Sequence, residues 1–290
     1  AAAKSPEMGV FAMAISMVIV PLVSAFTRNT DTEAARVKEI FNCYNTGAIG
    51  NSHSSANNIG GIVGYDTSYT STISNCSNSG KINGNSNVGG LGGNVNATFE
   101  KCFNSGYVSG KSYVGGLVGS TSGAINNCYN TGNVTGTNKY IGGLCGLKSY
   151  TRLISNCYNT GYISGDGAVG ALVGEISSTV PVNCYYLETN IDAVGNEMYM
   201  PTSAESKTSD EFASGEVAVL LQKNNPENVW GQDLKEDARD DKYDTSPVLG
   251  GKRVYATAPC ASGYSNTPLT NTVKAHNFKN GFCEDCGALA

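Results

Sequence analysis

Residues 113–119 read Tyr-Val-Gly-Gly-Leu-Val-Gly, and close copies of the phrase return at 59–64, 88–93, 141–146 and 169–174. A second phrase, Asn-Cys-Tyr-Asn-Thr-Gly, is clearest at 127–132 and 156–161. It carries Cys43, Cys76, Cys102, Cys128, Cys157 and Cys184, which follow one another at intervals of 26 to 33 residues. A period of this size, in segments rich in Gly, Asn and β-branched residues, specifies a solenoid in which every repeat is one coil. The 36 glycines are phased with the repeat, which argues for required backbone conformations and against disorder. The expected fold is all-β: a parallel β-solenoid of about five to six coils over 40–186, roughly 25 Å long at ~4.8 Å per coil.

Two positions in each coil are steadily apolar. A β-branched residue (Ile59, Val88, Val114, Ile141, Val169) precedes the paired glycines, and a large aliphatic (Ile62, Leu91, Leu117, Leu144, Leu172) follows them. Positions an odd number apart cannot both face inward on a regular strand, so the glycines are expected to make a bend or bulge that turns both into the core. With Gly-marked corners after Thr-Gly and Ser-Gly, each coil offers about three short strands. The longer first and fourth intervals are expected to hold their insertions as loops.

Around each cysteine the simple alternation applies. If the thiol faces inward, so does the Asn two later (Asn45, Asn78, Asn104, Asn130, Asn159), and stacked carboxamides can bond from coil to coil. The aromatic between them (Tyr44, Phe103, Tyr129, Tyr158, Tyr185) then faces outward. Such a row is either a flat stripe that stacks on sugar rings or a protein partner, or a ladder that supports the sheet or lies under a loop. Equivalent cysteines on adjacent coils have parallel Cβ directions, which do not favour a disulfide, so they are expected as a ladder of buried thiols.

The charged fraction is 15% and the net charge −5, with no basic tract to neutralise a row of phosphates, so nucleic acid is not an expected partner. Residues 8–27 carry no charge and read either as a secretory signal, with a small-residue site at 23–25, or as a membrane span; residues 1–39 are that segment plus a linker. Both readings place the chain at the cell surface or outside the cell, with the membrane reached only through this segment.

After 186 the repeats stop and charge rises. Residues 187–259 are the candidate cap for the solenoid's open end, with a capping box at 208–211 opening a helix to about Gln222 that buries Phe212, Val217, Leu220 and Leu221. The tail, 260–290, holds Cys260, His276, Cys283 and Cys286, four potential ligands for a structural tetrahedral zinc. A disulfide and unpaired thiols are the alternatives. No cofactor for catalysis is expected.

The Gly-Gly-Leu-Val-Gly phrases, with Asn-Cys-Tyr-Asn-Thr-Gly between them, resemble the GLUG repeats of bacterial surface and secreted proteins. These occur, among other places, in the non-catalytic parts of IgA-protease-like M26 proteins. The segment with Trp230-Gly-Gln and Pro247-Val-Leu looks like the one that commonly follows such arrays, and the tail is similar to C-terminal modules of anaerobic Gram-positive surface proteins. The zinc-protease chemistry of the M26 proteins needs a His-Glu-x-x-His helix, which this sequence lacks.

The resemblance implies a non-enzymatic adhesion, interaction or spacer module whose partners are glycans or host and bacterial surface proteins. The competing reading is a polysaccharide-active β-helix enzyme. Glycoside hydrolysis needs two carboxylates. The array offers Asp66, Glu100, Asp166 and Glu175, at four different phases of the repeat.

Overall fold

The computed structural model describes residues 38–50, 55–177, 179–197, 203–223, 225, 227–235, 242–256 and 264–266, together with a hairpin of Phe278–Lys279 and Phe282–Cys283. Its body is a parallel β-solenoid. A coil has five short strands, not three, because the Gly-Gly bend and the corners divide the chain more finely than the hydrophobic pattern indicates. Stacked coils therefore build five parallel sheets.

Sheet I stacks Glu39–Phe41, Thr72–Ser74, Thr98–Glu100, Ile125–Asn126 and Ile154–Ser155. Sheet II stacks Tyr44–Asn45, Ser77–Asn78, Phe103–Asn104, Tyr129–Asn130, Tyr158–Asn159, Tyr185–Leu187 and Glu205–Lys207. Sheet III holds Ile82–Asn83, Val108–Gly110, Val134–Gly136 and Ile163–Gly165. Sheet IV runs from Ile59–Gly60 to Val169–Gly170, and sheet V from Val63–Asp66 to Val194–Glu197. The last strands of sheets II and V lie beyond 186, so the stacking runs on into the segment expected to be cap alone.

Register follows the repeat. Asn104 pairs with Asn78 and Asn130, and Val114 with Val88 and Ile141. The Gly-Gly bend turns both apolar positions inward, but into two separate lobes. Leu91, Leu117, Leu144 and Leu172 join the cysteines, Ile73, Phe99, Ile125 and Ile154 in the larger one. Val88, Val114 and Ile141 join Ile82, Val108, Val134 and Ile163 in the smaller. The Asn ladder packs where the second glycine of the bend closes on it: a Cβ at Gly116 would collide with Asn130 and with the carbonyl of Gly143. Where the ladder gives way to Tyr186, the corresponding glycine gives way to Ala171.

Each ladder carboxamide donates from Nδ2 to the next Asn Oδ1 at 2.7 Å, from Asn45 through Asn78, Asn104 and Asn130 to Asn159. The same nitrogens reach the carbonyls of Gly47, Gly80, Gly106, Gly132 and Gly161, closing the turn. Buried carboxamides satisfied in this way specify register, since a one-residue slip would strand all of them. The cysteines are free thiols and stack as expected. The backbone N–H of Cys43, Cys76, Cys102 and Cys128 points at the next Sγ at 3.4 Å. The residue before each cysteine adopts the left-handed conformation, and Asn, which tolerates it, fills five of the six positions: Asn42, Asn75, Asn127, Asn156 and Asn183, with Lys101 the exception.

Beyond the last coil, Thr208 and Glu211 form the expected capping box at helix α1, Ser209–Ala213. The single expected helix is two: Gly215, at φ +92°, breaks the run before helix α2, Glu216–Gln222. A side chain at Gly215 would strike Val254 and Leu234, so the break lets the two helices wrap the cap's own core. Phe212, Val217 and Leu221 are buried and Leu220 partly so.

Candidate binding face

Alternation places the five sequence-predicted aromatics on the outward side of sheet II. The structure then covers most of them, which corrects the open stripe. Tyr129, Tyr158 and Tyr185 are buried, and Phe103 is half-buried beside them. Tyr44 alone is open, at 46% exposure, and Ser77 interrupts the row between it and Phe103. The cover is the C-terminal segment, which folds back along the flank of the solenoid. It was expected over the open end.

The covering contacts are specific. Phe103, Tyr129 and Tyr158 stack face to face, with centroids 4.9 and 5.0 Å apart. Trp230 lies tilted across Tyr129 and Tyr158 at 5.9 and 5.6 Å, and Phe212 packs on Tyr158 at 5.5 Å. Trp230 donates from Nε1 to Asn127 Oδ1, and the Tyr158 hydroxyl donates to the Pro247 carbonyl. Gln222 holds the strand that carries Trp230 by accepting from the N–H groups of Val229 and Trp230 at 2.9 Å. Lys101 pairs with Glu227 at the rim. Burial pushes the Tyr129 phenol up to about 12 and the Tyr158 phenol well above its ordinary range, so the covered row stays neutral.

The four array carboxylates do not converge. Asp66 and Glu175 lie on sheet V four strands apart, roughly 19 Å at the strand spacing. Asp66 accepts from Ser68, and Glu175 from Asn196. Glu100 lies on sheet I, where it accepts from Asn127, and Asp166 stands exposed in the corner between sheets III and IV.

Of the tail residues, Cys260, His276 and Cys286 lie outside the described residues, and Cys283 ends the second strand of the short hairpin. The described residues form no group of three or more potential ligands, which leaves the expected zinc site outside them. The segment 8–27 lies outside them too. Among the described residues no helix is long and apolar enough to cross a membrane.

Two features escaped the sequence. Lys148 is fully buried at the end of a sheet V strand, where its amine donates to the carbonyls of Ser149 and Tyr150 and fixes the long corner 149–153. Burial pulls its pKa down to about 8, and pushes the neighbouring Cys145 thiol up to about 12. The second feature is another set of tyrosines. Tyr107 and Tyr162 immediately precede strands of sheet III at 38% and 65% exposure, directly after the Gly that ends each Asn turn. The repeat signals this position, since Gly80, Gly106, Gly132 and Gly161 are followed by Lys81, Tyr107, Asn133 and Tyr162. Its variable chemistry hid it among the constant positions.

Comparison with curated proteins finds no match. Among solved structures, the chain is similar to a Bacteroides ovatus protein described as a candidate immunoglobulin A1 protease, at 21% identity and a TM-score of 0.43. The alignment covers 62% of this chain and 58% of that one, so the chain spans under two thirds of that protein's length. Residues 55–83 and 110–135 match the GLUG motif. Both stretches fall within the coils that the Gly-Gly bend and the Asn ladder build, and the chain carries GLUG-motif repeats wound into a parallel β-solenoid.

Proposed function

We propose that this is a non-catalytic extracellular or surface-held module that presents a rigid, coil-repeated lateral face to glycans or to host or bacterial surface proteins, and otherwise serves as a spacer. The observation that carries the reading is the placement of the acids. Asp66, Glu100, Asp166 and Glu175 are dispersed over different sheets and corners, whereas the rows of the array repeat in register from coil to coil. Paired-carboxylate chemistry needs two acids facing one bond. A stacked face needs only repetition.

The test compares binding on a glycan and matrix-protein array with release of reducing ends from the same polysaccharides. Binding without turnover is the expected result. Turnover that disappears on alanine replacement of the four acids would instead establish the enzyme reading. For the tail, the same proposal assigns a structural zinc to Cys260, His276, Cys283 and Cys286. Metal analysis of the full chain should then find stoichiometric zinc, reduced in Cys283→Ser, and metal-free protein carrying a disulfide would contradict it.

A further inference from the structure

The solenoid shows what it does with one aromatic row: Phe103, Tyr129, Tyr158 and Tyr185 are sealed by the chain's own C-terminal segment. Tyr107 and Tyr162, at the entry to sheet III, have no such cover among the described residues, and their surroundings differ in chemistry. Beside them runs an outward row in strict register, Asn83, Ser109, Thr135 and Ser164, one residue per coil. The row is ordered by its own hydrogen bonds, Ser109 to Asn83 at 3.0 Å and Thr135 with Ser164 at 3.2 Å. On the other side lie Ser79, Ser105, Thr131 and Thr160 of the Asn turns. None of these three rows contains a carboxylate, and their sole cation is Lys81. Its amine sits 5.3 Å over the Tyr107 ring, whose residue is 38% exposed.

Hydroxyls and carboxamides at a fixed pitch, flanked by exposed tyrosines and with the charges of Lys111 and Asp166 confined to the next corner, complement a polymer that offers hydroxyls on its edges and C–H groups on its faces. A polyanion would find Lys81 and Lys111, on separate rows and opposed by Asp166, and a protein hot spot would want a desolvated apolar centre, which this hydroxyl-lined face lacks. We infer that the sheet III face, with Tyr107 and Tyr162 as stacking platforms and the Asn83–Ser109–Thr135–Ser164 row as hydrogen-bonding rail, is a docking face for a linear neutral polysaccharide. The two rings stand two coils apart, about 10 Å at the strand spacing, so the polymer lies along the solenoid axis and meets an aromatic at intervals. This deepens the non-catalytic reading above and rests on it.

Affinity electrophoresis of the full chain through gels containing hydroxyethylcellulose, galactomannan or dextran tests the assignment, with heparin as the polyanion arm. At least one neutral polymer should retard the protein, with little dependence on salt. Tyr162→Ala and Tyr107→Ala should each weaken retardation ~3- to 10-fold, the range expected of a stacking contact. Tyr162→Phe should retain it, and Tyr44→Ala, on the other flank, should leave it unchanged. Near-ultraviolet circular dichroism of each variant checks that the covered aromatic row is intact.

No retardation by any neutral polymer would overturn the inference, as would retardation by heparin alone or retardation indifferent to both alanine variants. Cleavage of the retarding polymer would instead overturn the non-catalytic reading, so the two failures are distinguishable.

Discussion

Asn130 and Gly116 show how closely single residues are specified. The carboxamide gives to Asn159, receives from Asn104 and closes its own turn on Gly132, all without solvent. Asn130→Ala leaves buried partners unmatched and should cost about 2–4 kcal/mol in urea unfolding. Gly116→Ala forces a methyl into the Gly143 carbonyl and should cost about 3 kcal/mol or more. The same exchange is already made at Ala171, where no ladder Asn stands opposite.

The thiols carry a pH prediction. Burial raises Cys102, Cys128 and Cys157 well above their ordinary 9.0, the flanking thiols of the ladder pulling in opposite directions. Neutral thiols are thus retained in the fold while the unfolded chain ionises, so their contribution is complete below pH 9.0 and is lost as pH rises above it. Each thiol adds about 1.4 kcal/mol per pH unit to the decline. Cys128→Ala should lower neutral-pH stability and flatten that alkaline slope; thermal melts from pH 7 to pH 10 measure both. In and out along the Cys-Tyr-Asn triplet were legible in the sequence because alternation fixes them. The left-handed Asn before each cysteine was not, because a positive φ leaves no periodic signature.

At the scale of elements, the covered aromatic row is where the sequence misled. Outward on a strand is a statement about the strand, and only a neighbouring element decides whether outward means solvent. The cap's own markers, the Thr208 capping box and lone Trp230, were visible, but its seat on the flank depends on contacts remote in sequence, such as Trp230 with Asn127, 103 residues apart. Trp230→Ala and Phe212→Ala should each cost about 3–5 kcal/mol and open the tyrosines, giving binding of a hydrophobic dye and a lost near-ultraviolet signal. Two short helices in place of one follow from Gly215, whose left-handed φ the helical pattern of Phe212, Val217 and Leu221 does not reveal. Gly215→Ala should cost about 1–2 kcal/mol from backbone strain before its clash with Leu234 is counted.

For the whole molecule, the ladders act as one cooperative stack, each coil packed chiefly on its neighbours. The stack is uneven at its N-terminal end: Ile40, Cys43 and Ile62 are only partly buried, while their counterparts Ile73, Cys76 and Leu91 in the next coil are closed off. Sequence periodicity gave the coil number and the inward ladders, but it counted three strands where five exist, since two-residue strands carry no alternation of their own. It also could not show that the β-branched positions and the Leu and Cys positions fill separate core lobes, since the Gly-Gly bend that divides them has no periodicity of its own. Protection should accordingly peak in the central coils and under the cap.

Amide hydrogen exchange on the intact chain tests this directly. Slowest exchange is predicted at Phe103–Asn104, Tyr129–Asn130 and Tyr158–Asn159, with the first coil markedly faster and Trp230→Ala raising the sheet II rates. Sheet II strands exchanging as fast as the corners at 67–70 and 149–153, with no response to Trp230→Ala, would contradict the stacked ladders and the flank-seated cap together.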